Sequence, residues 1–184
     1  DDSWATPEHP SVVIYCGPGW EDWTPDQIDA KGLGGSETAV VLLARELVKK
    51  GMRVTVYGPA EGVWNGVIYR RWEKFNAKAG CWTFVSWRQP AIFDHDITAE
   101  RRVLWVHDVD YQELMTPARL AKVDCIWALS KFHKAHLLAM YPFLDRNIAA
   151  SSWIWDSHRR RYLPEVSGNS DVGVSHSSGD LGNA

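Results

Sequence analysis

Four short stretches of this sequence carry residues whose types and spacing suit chemistry. The first is Trp105-Val106-His107-Asp108, which closes an apolar run. An imidazole titrates at about pH 6.5, so His107 could act as a base or a hydrogen-bond donor at neutral pH, with Asp108 orienting it. The same pair also reads as the solvated polar end of a strand. The second is Gly32-Leu33-Gly34-Gly35-Ser36-Glu37, just ahead of an amphipathic run. Glycines let a backbone approach a ligand closely, and the free N–H groups of a helix start favour a phosphate. The plainer reading is a tight loop-to-helix turn. The third is Ser86-Trp87-Arg88-Gln89-Pro90, where Trp87 and Arg88 suit a sugar or a phosphate as well as an exposed loop. The fourth is Leu129-Ser130-Lys131-Phe132-His133-Lys134. Ser130 is a natural helix cap. Lys131, His133 and Lys134 could meet an anion near that helix start, or lie on a solvated face. His133 and His136 stand three apart but have no third ligand nearby, so no metal is expected.

Two familiar phosphate motifs are excluded. A dinucleotide fingerprint needs a short loop, a third glycine and a carboxylate at the end of the next strand. Here the loop is long, Glu37 stands at the third position, and the next strand ends Val56-Tyr57-Gly58-Pro59. A P-loop is also absent, because no Gly-Lys-Ser/Thr follows the glycines.

The elements that must position these residues alternate along the chain. Ser11–Gly17 reads as a buried strand, residues 18–35 as a long loop, and Glu37–Lys50 as a helix capped by Ser36 and stopped by Gly51. Met52–Tyr57 is the next strand, which makes a βαβ unit with parallel strands. Further strands are expected at Val63–Trp72, Cys81–Ser86, Arg102–His107, Asp124–Leu129 and Asn147–Ser151. Helices are expected after Thr116-Pro117 and over Lys131–Met140, ending before Tyr141-Pro142. The pattern predicts an α/β fold: an open, doubly wound, mostly parallel sheet flanked by helices. The expected organisation is an N-terminal extension over 1–10, one domain over 11–164, and a flexible Ser/Gly-rich tail over 165–184.

Composition narrows the classes. The chain has 184 residues, 45 % hydrophobic and 23 % charged, which suits one globular domain. A net charge of −3 argues against binding nucleic acid through bulk charge. No apolar run approaches the length of a transmembrane helix. The start, Asp1-Asp2-Ser3-Trp4, is that expected of a fragment or a processed product. The 3 cysteines show no CxxC spacing, and Cys16 and Cys125 lie in apolar runs. They read as buried thiols in a reducing, cytoplasmic setting, not as a zinc site or disulfide framework. The 11 tryptophans are unusual. Trp20, Trp23, Trp64, Trp87, Trp153 and Trp155 sit in loop-like contexts, where an indole can stack on a sugar ring or close over an edge of the core.

The run GLGGSETAVVLLARELVKKGMRVTVYG, followed by SWRQPAIFD, RRVLWVHD and DCIWALSKFHKAHLL, resembles the N-terminal domain of GT-B fold glycosyltransferases. The relevant family is the large one with sucrose-, mannosyl- and glycogen-synthase-like members. The likeness covers about residues 11–150, and its glycine-rich helix start is the most specific part. It implies a Rossmann-like half that holds the acceptor and faces a donor-binding C-terminal domain. It also implies a nucleotide sugar as a substrate, with no cofactor. Gly34, Gly35 and Ser36 would approach the donor phosphates. His107 and Asp108 would stand near the transferred sugar. Trp87, Arg88, Lys131 and His133 would shape the acceptor side. The family's spaced Glu pair is missing, and Ser152-Trp153-Ile154-Trp155-Asp156 replaces its Asn-Gly-Ile segment. A non-catalytic carbohydrate-binding module is therefore a second expectation, and a nucleotide-binding regulatory domain a third.

Overall fold

In a computed structural model of the chain, residues 10–19, 21–144, 148–150, 152–156 and 161–165 are described. Pro10 and Glu165 apart, the expected extension and tail lie outside the described residues, as does Trp20.

The strands are β1 (Ser11–Tyr15), β2 (Arg53–Gly58), β3 (Gly62–Trp64), β4 (Val67–Arg71), β5 (Cys81–Trp87), β6 (Ala99–Trp105), β7 (Cys125–Ala128), β8 (Ile148–Ala150), β9 (Ser152–Asp156) and β10 (Arg161–Glu165). The helices are α1 (Gln27–Ala30), α2 (Gly35–Lys49), α3 (Pro117–Leu120) and α4 (Lys131–Met140). The main sheet has 8 strands in the order β3-β4-β2-β1-β5-β6-β7-β8. Every pairing in it is parallel except β3 with β4. This is an α/β fold with a mixed, mostly parallel sheet and few helices. β9 and β10 form a separate antiparallel pair.

Strand alternation fills a core on each face of the sheet. Val12 and Ile14 of β1 pack with Val54 and Val56 of β2 and with Val40, Val41 and Ala44 of α2. Tyr15 and Phe84 point the other way, into a cluster with Leu104, Ile126 and Leu137. Both faces are apolar because both are covered, as parallel sheets require. Val40 and Val41 are fully buried, each stabilising by roughly 1.5–3 kcal/mol.

Capping follows the sequence at three places. Thr116 Oγ1 accepts from the Arg119 N–H, Ser130 Oγ accepts from the His133 N–H, and Gly51 adopts φ +83° just past α2. A fourth expectation is corrected. Gly34, not Ser36, is the N-cap of α2, and no side chain caps it. Ser36 lies inside the first turn and its hydroxyl is spent elsewhere, as described below.

Other differences have local causes. The expected strand Val63–Trp72 is a hairpin, β3 and β4, turned at Asn65-Gly66. Both turn residues have positive φ, 51° and 78°, as a type I′ turn demands. The long loop holds the short helix α1. Its Trp23 is buried and sits edge-on to Tyr69, with centroids 6.5 Å apart, so this tryptophan closes the core. Cys16 is buried as expected. Cys81 is also buried, whereas Cys125 on β7, expected to be buried, is only half-buried.

Candidate functional site

The strand order reverses between β1 and β5. β2 and β4 continue from one side of β1, whereas β5 and β6 lie on the other. In open α/β sheets, ligands sit outside the carboxyl ends of the strands at such a point. A cleft of about 770 Å³ opens there, within the usual range for a small-molecule site. Its walls come from the end of β1 at Cys16, the long loop through Gly34, the start of α2 at Glu37, the end of β5 at Trp87 and Arg88, and the loop after β6.

Arg88 is the strongest single feature. It is one of three described non-glycine residues with positive φ, at 62°, a conformation costing on the order of 1 kcal/mol. The surroundings over-determine it. Its N–H donates to the Trp105 carbonyl at 3.0 Å, and its guanidinium lies over the Trp87 ring, 5.1 Å from the centroid. Its Nε and Nη2 donate to the two Asp108 oxygens at 2.8 and 2.7 Å. That hydrogen-bonded pairing pushes the Arg88 pKa further up. Gln112, also at positive φ (48°), lines the same cleft.

The loop after β6 is clamped at nearly every polar group. Tyr111 Oη accepts from the His107 and Asp108 N–H groups at 2.8 and 3.2 Å. Tyr141 Oη accepts from the Tyr111 N–H at 3.0 Å and donates to Asp110 at 2.7 Å. That phenol is the first cause of the lowered pKa of Asp110. His133 Nδ1 accepts from the Leu129 N–H, so its proton sits on Nε2, which donates to the Asp108 carbonyl at 2.9 Å. His136 Nε2 meets the Val109 carbonyl at 2.9 Å. Tyr141→Phe should strand the Tyr111 N–H, which donates to the Tyr141 hydroxyl, and cost roughly 1–3 kcal/mol. Urea unfolding at neutral pH measures this, and a midpoint equal to wild type would show that the clamp carries no energy.

Six of the nine sequence-predicted residues fall into two groups. Gly34, Trp87, Arg88 and Asp108 come together on the cleft. Ser36 and His107 meet each other beneath its wall, with Ser36 Oγ and His107 Nδ1 3.2 Å apart. The His107 ring packs edge-on against Trp105 at 4.6 Å and Trp87 at 5.8 Å. Its Nε2 is buried with no partner among the described residues. Burial, and then the Arg88 charge, lower its pKa to about 4, so the ring is neutral at pH 7. His107 and Asp108 thus diverge: Asp108 holds Arg88 in the cleft lining, while His107 supports the first turn of α2. His133 is buried with both ring nitrogens occupied, so it positions Asp108 rather than facing a ligand. Lys131 is exposed and outside the lining. A Cβ built at Gly35 meets nothing within 4 Å, whereas one at Gly34 would collide with the Glu37 carboxylate folded over it.

Neither a family model nor a curated protein matches this chain. Among the described residues, no helix is long and apolar enough to cross a membrane, and no group of three or more His, Cys, Asp or Glu could hold a metal ion.

Three contributors were not singled out from sequence. In the sequence Glu37 stands out only as the residue in place of a fingerprint's third glycine. Tyr111 and Tyr141 act across 30 residues of chain, and no local pattern links them.

Proposed function

We propose that this chain is the Rossmann-like, acceptor-side half of a glycosyltransferase that uses a nucleotide sugar. The observation that carries the reading is the position of the cleft. The glycine-rich start of α2, the Arg88–Asp108 pair and a clamped loop border one crevice at the switch point of the sheet. On this reading the open side of Gly35 meets the donor diphosphate, and the acceptor sugar occupies the cleft itself. Asp108 and Arg88 position the acceptor by hydrogen bonds to its hydroxyls. His107, through Ser36, holds the helix start in register. On this reading the basic side chains that a diphosphate needs come from a donor-binding second domain.

A specific observation favours a second reading, a carbohydrate-binding module without transfer activity. The Glu37 carboxylate already occupies the N-terminal end of α2, where a phosphate would sit. Calorimetric titration separates the two. If UDP or GDP binds the chain, and Gly35→Val abolishes that binding while the melting temperature stays within a few degrees, the transferase reading stands. If glycans bind and nucleotides do not, the module reading replaces it.

A further inference from the structure

We infer that the cleft selects a hydroxyl-rich ligand carrying an amine over the same ligand carrying a carboxylate or phosphate. The inference rests on the reading of this cleft as a sugar site, which both functions above share.

The lining is strongly one-signed. Glu21, Asp22, Glu37 and Glu113 face it alongside the Asp108 and Asp110 carboxylates, against only Lys31 and Arg88. The charge of Arg88 is matched by Asp108, whose two oxygens accept from its Nε and Nη2, so the pair adds no net positive charge to the lining. Asp22 lies 3.8 Å from Arg71 and is 86 % exposed, so that contact neutralises little. A concave site lined by one sign of charge concentrates the opposite sign and repels its own.

A second feature is a donor left unpaired within the cleft wall. Trp87 lines the cleft and is only 4 % exposed, yet its indole N–H has no partner among the described residues. A buried indole N–H ordinarily finds an acceptor. A sugar hydroxyl is such an acceptor, and it can also donate to a carboxylate. An ammonium on the same ring donates to carboxylates only. An amino sugar therefore matches the excess acceptors of the lining. A uronic acid or sugar phosphate supplies acceptors to a site that already has too many.

The test uses the whole chain and three oligosaccharide series of matched length: glucosamine oligomers, neutral glucose oligomers and galacturonate oligomers. Binding is measured by calorimetry at low and high salt. The expected order is amine, then neutral, then acid, with about a tenfold or greater gap between the first and last that shrinks at high salt. The triple variant Glu21→Gln, Asp22→Asn, Glu113→Gln changes exposed side chains and should close most of that gap without changing the melting temperature. Acidic oligomers binding as well as amine oligomers would overturn the inference and leave the sugar site standing. A gap unaltered in the folded triple variant would overturn it too. If no sugar of any charge binds, the reading of the cleft as a sugar site fails, and this inference fails with it.

Discussion

Trp105→Ala is expected to cost roughly 3–5 kcal/mol, the range for truncating a buried Trp to Ala. Trp105 ends β6, is fully buried, and stacks on Trp127 with centroids 5.0 Å apart and planes 24° apart. It packs in the cluster beneath α2, and the His107 ring rests on its edge. The cavity would open between the helix that begins at the glycines and the strand that ends at the site. Chemical denaturation measures the loss. A change below about 1 kcal/mol would mean that α2 collapses into the space, and that Trp105 does not hold the site apart from its core. Trp105→Phe keeps most of the ring and should recover more than half of the loss.

Acid should weaken the fold through His107. Its pKa is about 4 in the folded chain, against the ordinary 6.5, because burial and then the Arg88 charge oppose protonation. Between these values the unfolded chain binds a proton that the folded chain refuses. The stabilisation is therefore complete above pH 6.5 and is lost as pH falls toward 4. From the two pKa values the loss between pH 7 and pH 4.5 is about 2 kcal/mol. Other groups titrate in this window, so the measurement is a difference. His107→Gln cannot take up the proton, and its stability should fall less over the same interval by about that amount. Parallel pH profiles of wild type and variant would show the ring to be solvated if the two profiles coincide. The structure also predicts that Ser36→Ala moves the folded His107 titration, because Ser36 Oγ is the one hydrogen-bond partner of the ring among the described residues. Proton NMR of the imidazole follows this directly.

Local physics made much of the architecture legible. Apolar runs bounded by glycine and proline marked β1, β2 and β5, and an apolar run between Asp124 and Ser130 marked β7. Thr116-Pro117, Ser130 and Gly51 marked helix ends, because caps and stops are properties of neighbours in sequence. Asn65-Gly66 carries a hairpin signal of the same local kind, inside a run, Val63–Trp72, whose apolar pattern alone fits one strand. Trp87, Arg88, Asp108 and Gly34 were also readable as site candidates, because each stands just past a strand or before a helix, where an α/β sheet keeps its ligands.

Which of those residues face the cleft was decided only by tertiary structure. His107 and Asp108 are adjacent in sequence, yet one turns beneath α2 and the other pairs with Arg88. Ser36 looked like a cap because its local pattern is that of a cap, but a ring 71 residues away takes its hydroxyl. His133 looked available until the Leu129 N–H and the Asp108 carbonyl claimed both its nitrogens. The acidic sign of the cleft is likewise invisible in a net charge of −3, because it arises where loops from three strand ends converge. A sequence fixes which groups a segment offers. Long-range pairing decides which of them are consumed inside the protein and which are left for a ligand, because each donor and acceptor satisfied across the fold is no longer free at the surface.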